Sequence, residues 1–140
     1  MPHSYTARVK VTGEGRNGGR ARSDDGVLDT DLALPKELGG TGAATNPEQL
    51  FAAGWAACFL GAVRISAADR RIRLTSTEID VEMALDRGGD GYTLASVLHL
   101  QVGGVTQDEA DELAHAAHQI CPYSKAVRGN IPVTLNATAV

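Results

Sequence analysis

Between Ser4 and Thr12 the apolar residues Tyr5, Ala7, Val9 and Val11 alternate with polar ones, the period of a half-buried strand. A glycine-rich turn from Gly13 to Gly19 comes next. Arg20 to Ser23 and Val27 to Leu34 read as the arms of a hairpin around the turn signal Asp24-Asp25-Gly26. Gly39-Gly40-Thr41-Gly42 is a loop able to run close to other backbone. Thr45-Asn46-Pro47-Glu48 then opens a helix, with a capping side chain, a proline where no donor is needed and an acid in the first turn. The apolar run behind it predicts a helix from Pro47 to about Ala68, whose small residues imply close packing.

Ile79, Val81, Met83 and Leu85 alternate as a strand, and Tyr92 to Val102 is its hairpin partner across Arg87-Gly88-Gly89-Asp90-Gly91. Thr106-Gln107-Asp108-Glu109 has the form of a capping box that opens a second helix. That helix stops at Pro122, because the residue before a proline resists helical geometry. Ile131, Val133, Leu135 and Ala137 alternate as a last strand. Three strands, a helix, two strands, a helix and a strand predict an α+β fold. The 140 residues, without repeats or a heptad array, suit one domain spanning 1–140. At this size oligomerisation would add useful burial.

The formal net charge of -4 gives no strong pull toward nucleic acid, and Arg70-Arg71-Ile72-Arg73 reads as a solvated helix end. With 4% aromatic residues there are few stacking platforms for single strands. Residues 1–9 lack the apolar centre of a signal peptide. The apolar stretch Leu50 to Val63 is too short to span a bilayer and is closed by Arg64. A cytoplasmic protein with neither a nucleic-acid nor a membrane partner is expected. Thiols are kept reduced there, so a cysteine pair is more often redox-active, catalytic or metal-binding than a permanent staple.

Cys58 lies mid-helix in Ala56-Ala57-Cys58-Phe59-Leu60-Gly61, and Cys121 ends the second helix, so any meeting of the two is tertiary. Composition leaves two readings open: inert fillers of core space, or chemistry. Cys121-Pro122-Tyr123-Ser124 places a thiol where a helix ends and partner groups come within reach, and the small residues beside Cys58 can admit another segment. His115, His118 and Cys121, at three-residue steps, offer with Cys58 a mixed nitrogen and sulfur metal site as an alternative. Helical drift of about 120° over six positions works against it. A thiol-based oxidant sensor without turnover is a further alternative. Gly13-Glu14-Gly15-Arg16-Asn17-Gly18 fits the spaced glycines of a dinucleotide loop, but no apolar helix comes after it.

Two stretches carry a family resemblance. Thr45-Asn46-Pro47-Glu48-Gln49-Leu50-Phe51-Ala52-Ala53-Gly54-Trp55-Ala56-Ala57-Cys58-Phe59 resembles the first cysteine motif of the Ohr/OsmC family, in its organic hydroperoxide resistance branch. Ala117-His118-Gln119-Ile120-Cys121-Pro122-Tyr123-Ser124, with Arg128-Gly129-Asn130-Ile131 beyond it, resembles the second. Asp25 to Asp29 and Pro35 to Gly40 match as well. The resemblance implies an OsmC-like α+β fold, with antiparallel sheets packed around two main helices in an intertwined homodimer. It implies a thiol-dependent peroxidase acting on organic hydroperoxides, with no bound cofactor and no metal. Dihydrolipoamide or a lipoylated carrier protein would be the reductant. Trp55 stands where the family usually has tyrosine, and Lys125 where it usually has asparagine.

On that resemblance Cys58 is the nucleophile and Cys121 its resolving partner. An unperturbed thiol is little ionised at neutral pH, so a nearby cation is expected to lower its pKa. The family's activating arginine sits in a Gly-Arg-(Asp or Asn)-Gly turn. Gly15-Arg16-Asn17-Gly18 fits, which selects Arg16, with Arg20 as the alternative because the turn carries one extra residue. Glu48 corresponds to the glutamate that holds the guanidinium in a two-pronged geometry. Leu50, Phe51, Trp55, Phe59 and Leu60 are candidates for an apolar lining, some of them simply core. Tyr123 and Ser124 are either shapers of the resolving site or turn residues. Ten residues of helix rise about 15 Å. Glu48 and Cys58 of one chain are therefore too far apart to touch one small substrate, which suggests a two-fold dimer in which each site borrows from the other chain.

Overall fold

The computed structural model describes residues 3–140, which form two compact units, one up to Leu50 and one from Phe51 onward. In the first, β1 (Val9–Gly13), β2 (Gly19–Ser23) and β3 (Asp29–Asp31) make an antiparallel sheet in that order. Val11 faces Ala21, and Arg20 faces Asp31. The first strand begins at Val9 rather than Ser4, because its partner β2 ends at Ser23, opposite Val9. The β2–β3 turn is held by side chains. Ser23 Oγ accepts from the Leu28 N–H at 3.0 Å, and Asp25 Oδ1 accepts from the Val27 N–H at 3.0 Å. These bonds hold residues 27 and 28 in the turn, so the second arm is shorter than the alternation suggests. Leu32 then bridges to Thr45. Ala21 and Leu32 are the buried apolar residues described in this unit, while Val9 and Val11 are exposed.

Asn46 Oδ1 accepts from the Gln49 N–H at 2.9 Å, capping α1 (Pro47–Asp69), which carries the chain into the second unit. There α1 supplies Trp55, Phe59, Ala62 and Val63 to the core. β4 (Ser76–Gly88) and β5 (Gly91–Gly103) pair antiparallel along their whole length and contribute Leu98, Leu100 and Val102. α2 (Gln107–Ile120) opens on the expected capping box: Thr106 Oγ1 accepts from the Glu109 N–H, and Glu109 Oε1 from the Thr106 N–H. Its buried face is Ala110, Leu113, Ala114 and Ala117.

Two features depart from the sequence reading. The chain does not turn loosely after Pro122 but forms a short helix, α3 (Pro122–Val127), with the proline at its first position. The last strand, β6 (Val133–Ala139), lies parallel to β5, so the second sheet is mixed rather than wholly antiparallel. The helical crossover returns the chain to the starting end of β5, which a parallel neighbour requires. α1 ends one residue past the expected Ala68, and its 23 residues are long and apolar enough by length and composition to cross a bilayer, which the stretch Leu50 to Val63 alone is not. Its buried face, however, packs as the core helix of this unit. The opposite face, Ala53, Ala57, Gly61 and Ile65, is exposed and apolar.

Candidate active site

α1 and the α2–α3 junction bring the two cysteines together. The Cys121 thiol donates to Cys58 Sγ across 3.4 Å, and both cysteines are free thiols. Cys121 is completely buried, while Cys58 is partly accessible. The Cys121 backbone is fixed from both sides. Its N–H donates to the Ala117 carbonyl at 2.8 Å, and its carbonyl accepts from the Lys125 N–H at 3.0 Å. It thus ends one helix and caps the next.

The electrostatics of Cys58 differ from the expectation of a lowered pKa. Burial pushes its thiol above the ordinary range, and the adjoining Cys121 thiol adds to that. The Tyr123 backbone N–H, hydrogen-bonded to the sulfur, pulls the other way without reversing the shift. Desolvation, which disfavours the charged thiolate, is the largest of these effects.

In the first unit the turn at Gly15–Asn17 presents Arg16 to Glu48 as a fork. Nη2 donates to Oε1 at 2.6 Å and Nη1 to Oε2 at 3.2 Å. Gly15 takes φ +61°, a left-handed conformation that suits glycine, and so allows the tight turn. The guanidinium holds the Glu48 carboxyl below the usual carboxylate range, against the opposing effect of burial. The alternative, Arg20, is engaged elsewhere: Nε donates to Asp29 at 2.8 Å and Nη1 to Asp31 at 2.7 Å, on an exposed surface.

Trp55 and Phe59 are fully buried core residues, not lining, whereas Phe51 and Leu60 are only partly buried. The indole N–H of Trp55 donates to Ser124 Oγ at 3.1 Å, and Ser124 is buried as well. Beside this bond, Gly54 leaves room for the Tyr123 ring. A Cβ there would lie 3.3 Å from Cε2 and 3.5 Å from the phenol oxygen. Ser124 and α3 are the parts of the site that the sequence reading left open. The available signal was a proline followed by residues that tolerate helix, Tyr123 to Val127.

The metal alternative finds no assembled ligand set among the described residues. His115 faces an outer groove of about 590 Å³ with Arg70, Asp108, Asp111 and Glu112, while Cys121 is buried in the core. His118 packs near Phe59, with ring centroids 6.5 Å apart, and its Nδ1 is buried with no hydrogen-bond partner among the described residues. Burial lowers its pKa, with Arg128 and His115 adding to the effect, which favours the neutral imidazole.

Residues 40–136 match the family model described as OsmC-like protein. An organic hydroperoxide resistance protein of Xanthomonas axonopodis pv. citri is 47% identical over 133 residues, covering 94% of this chain and 92% of that protein. Among solved structures, the fold is similar to that of an organic hydroperoxide resistance protein from Elizabethkingia anophelis. The TM-score is 0.92, with 39% identity and 100% of both chains covered. It is similar also to an organic hydroperoxide resistance protein from Legionella pneumophila, with a TM-score of 0.89, 45% identity, and 94% of this chain and 96% of that chain covered.

Proposed function

The chain belongs to the OsmC-like family, on its organic hydroperoxide resistance branch, and on that footing we propose that it is a two-cysteine peroxidase reducing organic hydroperoxides to alcohols. The observation that carries this reading is the contact of two reduced sulfurs at 3.4 Å, one partly accessible and one buried. The Cys58 thiolate attacks the terminal peroxide oxygen, releases the alcohol and becomes a sulfenic acid. The Cys121 thiol condenses with it to give a disulfide and water. A dithiol then reopens the bridge by exchange. Dihydrolipoamide, free or on a lipoylated carrier protein, is the proposed electron donor. No resident cofactor or metal is required by this cycle. Two free thiols at contact distance suit a reducing compartment, and the cytoplasm is the proposed location.

Attack needs a thiolate, whereas burial alone holds Cys58 protonated. A cation has to come close in the working enzyme. Arg16, aimed by Glu48, is the proposed source. Ten residues of α1 separate Glu48 from Cys58, a rise of about 15 Å, so the arginine is supplied by the partner of a homodimer. The exposed apolar face of α1 at Ala53, Ala57, Gly61 and Ile65 supports such an assembly, because helices approach closely across small side chains.

Steady-state reduction of an organic hydroperoxide, compared with hydrogen peroxide, tests the proposal with dihydrolipoamide as the electron source. Turnover with a preference for the organic peroxide is expected. A single stoichiometric oxidation that dihydrolipoamide cannot reverse would identify a sensor instead.

A further inference from the structure

Trp55 precedes Cys58 by three residues on α1, and Ser124 lies three residues beyond Cys121 on α3. Each lies about one helical turn from its cysteine. Their side chains meet in a hydrogen bond of 3.1 Å, with both residues 0% exposed. The indole N–H can only donate, so without Ser124 Oγ it would be a buried donor lacking an acceptor. Next to this bond the Tyr123 ring rests on Gly54, and the Tyr123 N–H reaches Cys58. Cys121 itself is the joint between α2 and α3. α3 has only six residues, so its attachment to α1 depends on few contacts.

We propose that the Trp55–Ser124 hydrogen bond is a latch that holds the Cys121 segment against α1 and so decides whether oxidised Cys58 closes to a disulfide or is oxidised further. The inference rests on the peroxidase reading and deepens it. Once Cys58 is a sulfenic acid, two reactions compete for it. The Cys121 thiol gives up its proton as its sulfur attacks the Cys58 sulfur, the S–O bond breaks, and the leaving hydroxide takes that proton to become water. In the competing reaction the sulfenic sulfur attacks a second hydroperoxide, takes its terminal oxygen to become a sulfinic acid, and releases a second alcohol. Disulfide closure requires the sulfurs to approach from 3.4 Å to about 2.05 Å. A latched α3 keeps that path short. A released α3 swings about Cys121, lengthens the wait and exposes the sulfenic acid to peroxide. Trp55 and Ser124 are positioning residues, since neither touches the reacting oxygen.

The test uses the reduced full-length protein, Trp55→Phe, Ser124→Ala and the double variant, each exposed to excess tert-butyl hydroperoxide without reductant. Intact-mass spectrometry reads the ratio of sulfinic acid to disulfide. The latch predicts that each single variant raises this ratio several-fold, and that the double variant raises it no further than the stronger single one, because both break the same bond. A merely structural role predicts a lower thermal midpoint with the wild-type ratio retained in all three, and that result overturns the inference. Ser124→Ala removes one oxygen and adds no volume, so it carries the test alone if Trp55→Phe fails to fold. If the wild-type protein forms neither product, the peroxidase reading fails, which is a different outcome from an unmoved ratio.

Discussion

The Cys121 sulfur faces that of Cys58 across 3.4 Å, although 63 positions separate them, and the contact forms where α2 ends against the middle of α1. Proximity and ionisation are therefore separate problems in this protein. The unit that brings the thiols together also desolvates them and pushes Cys58 upward. The paired guanidinium belongs to the other unit, where Glu48 holds it.

Cys58→Ser is expected to abolish turnover, since the oxygen-accepting sulfur is gone. Cys121→Ser is expected to consume about one equivalent of hydroperoxide and stall as the sulfenic acid, or to take up a second equivalent as Cys58 advances to sulfinic acid, with no sustained turnover in either case. Mass spectrometry after peroxide exposure checks both. Sustained dithiol-dependent turnover in Cys58→Ser would remove the assignment.

The pH dependence of Cys58 reactivity reports on the arginine. Burial raises the thiol pKa, so less thiolate is present at neutral pH and the alkylation rate climbs as pH rises. If Arg16 of the partner subunit acts on the sulfur, the intact protein titrates lower than burial alone dictates. Arg16→Ala is then expected to move the midpoint of the iodoacetamide rate profile upward and to slow alkylation at pH 7. An identical midpoint in both proteins would show that the cation acts elsewhere.

Glu48 has the opposite sign. Its carboxyl is held below the usual range in the folded protein, first by the Arg16 hydrogen bond. The stabilisation is present above the ordinary carboxylate pKa and is lost as pH falls through the lowered value. The Arg16 side chain is 36% exposed and that of Glu48 15%, so solvent screening limits the pair to about 1 kcal/mol or less. Urea unfolding of the wild type and Glu48→Gln is expected to differ near neutrality and to converge under strong acid. A difference that grows on acidification would contradict the pairing.

The long elements could be read from sequence because their period and caps agree: Asn46 and Pro47 start α1, and Thr106 with Glu109 starts α2. The direction of β6 could not be read, since Ile131, Val133 and Leu135 alternate alike in either orientation. α3 was hidden because Pro122 signals a helix end to the residues before it and a helix start to those after it. The surface pairing of Arg20 was not legible either, since it follows from the register, which sets Arg20 opposite Asp31 with Asp29 within reach. Nor does spacing say which aromatic residues line a site. Trp55 and Phe59 proved to be core, in one buried cluster with Leu98 and Leu100 of β5 and Ala114 and Ala117 of α2. The contact of the two sulfurs is tertiary, and only the folded chain displays it.

The uncovered face of α1 makes a prediction about assembly. Ala53, Ala57, Gly61 and Ile65 recur at four-residue steps on a helix whose other side is core, and Ile65 is 57% exposed. An apolar helix face left in water costs roughly 25 cal/mol for each Å² uncovered, so a second copy that buries it is favoured. Ala57→Glu places a charge in that face with no partner within the helix turn to neutralise it. The variant is expected to shift light scattering from dimer to monomer. Helical content stays at the wild-type level, because glutamate is a good helix former and position 57 is exposed in the single chain. On the proposed assembly, loss of the dimer should carry turnover with it, because a monomer would keep its thiol pair but lack Arg16 of the partner subunit. Monomers that retain full turnover would separate activity from assembly and return the search for the ionising cation to the same chain.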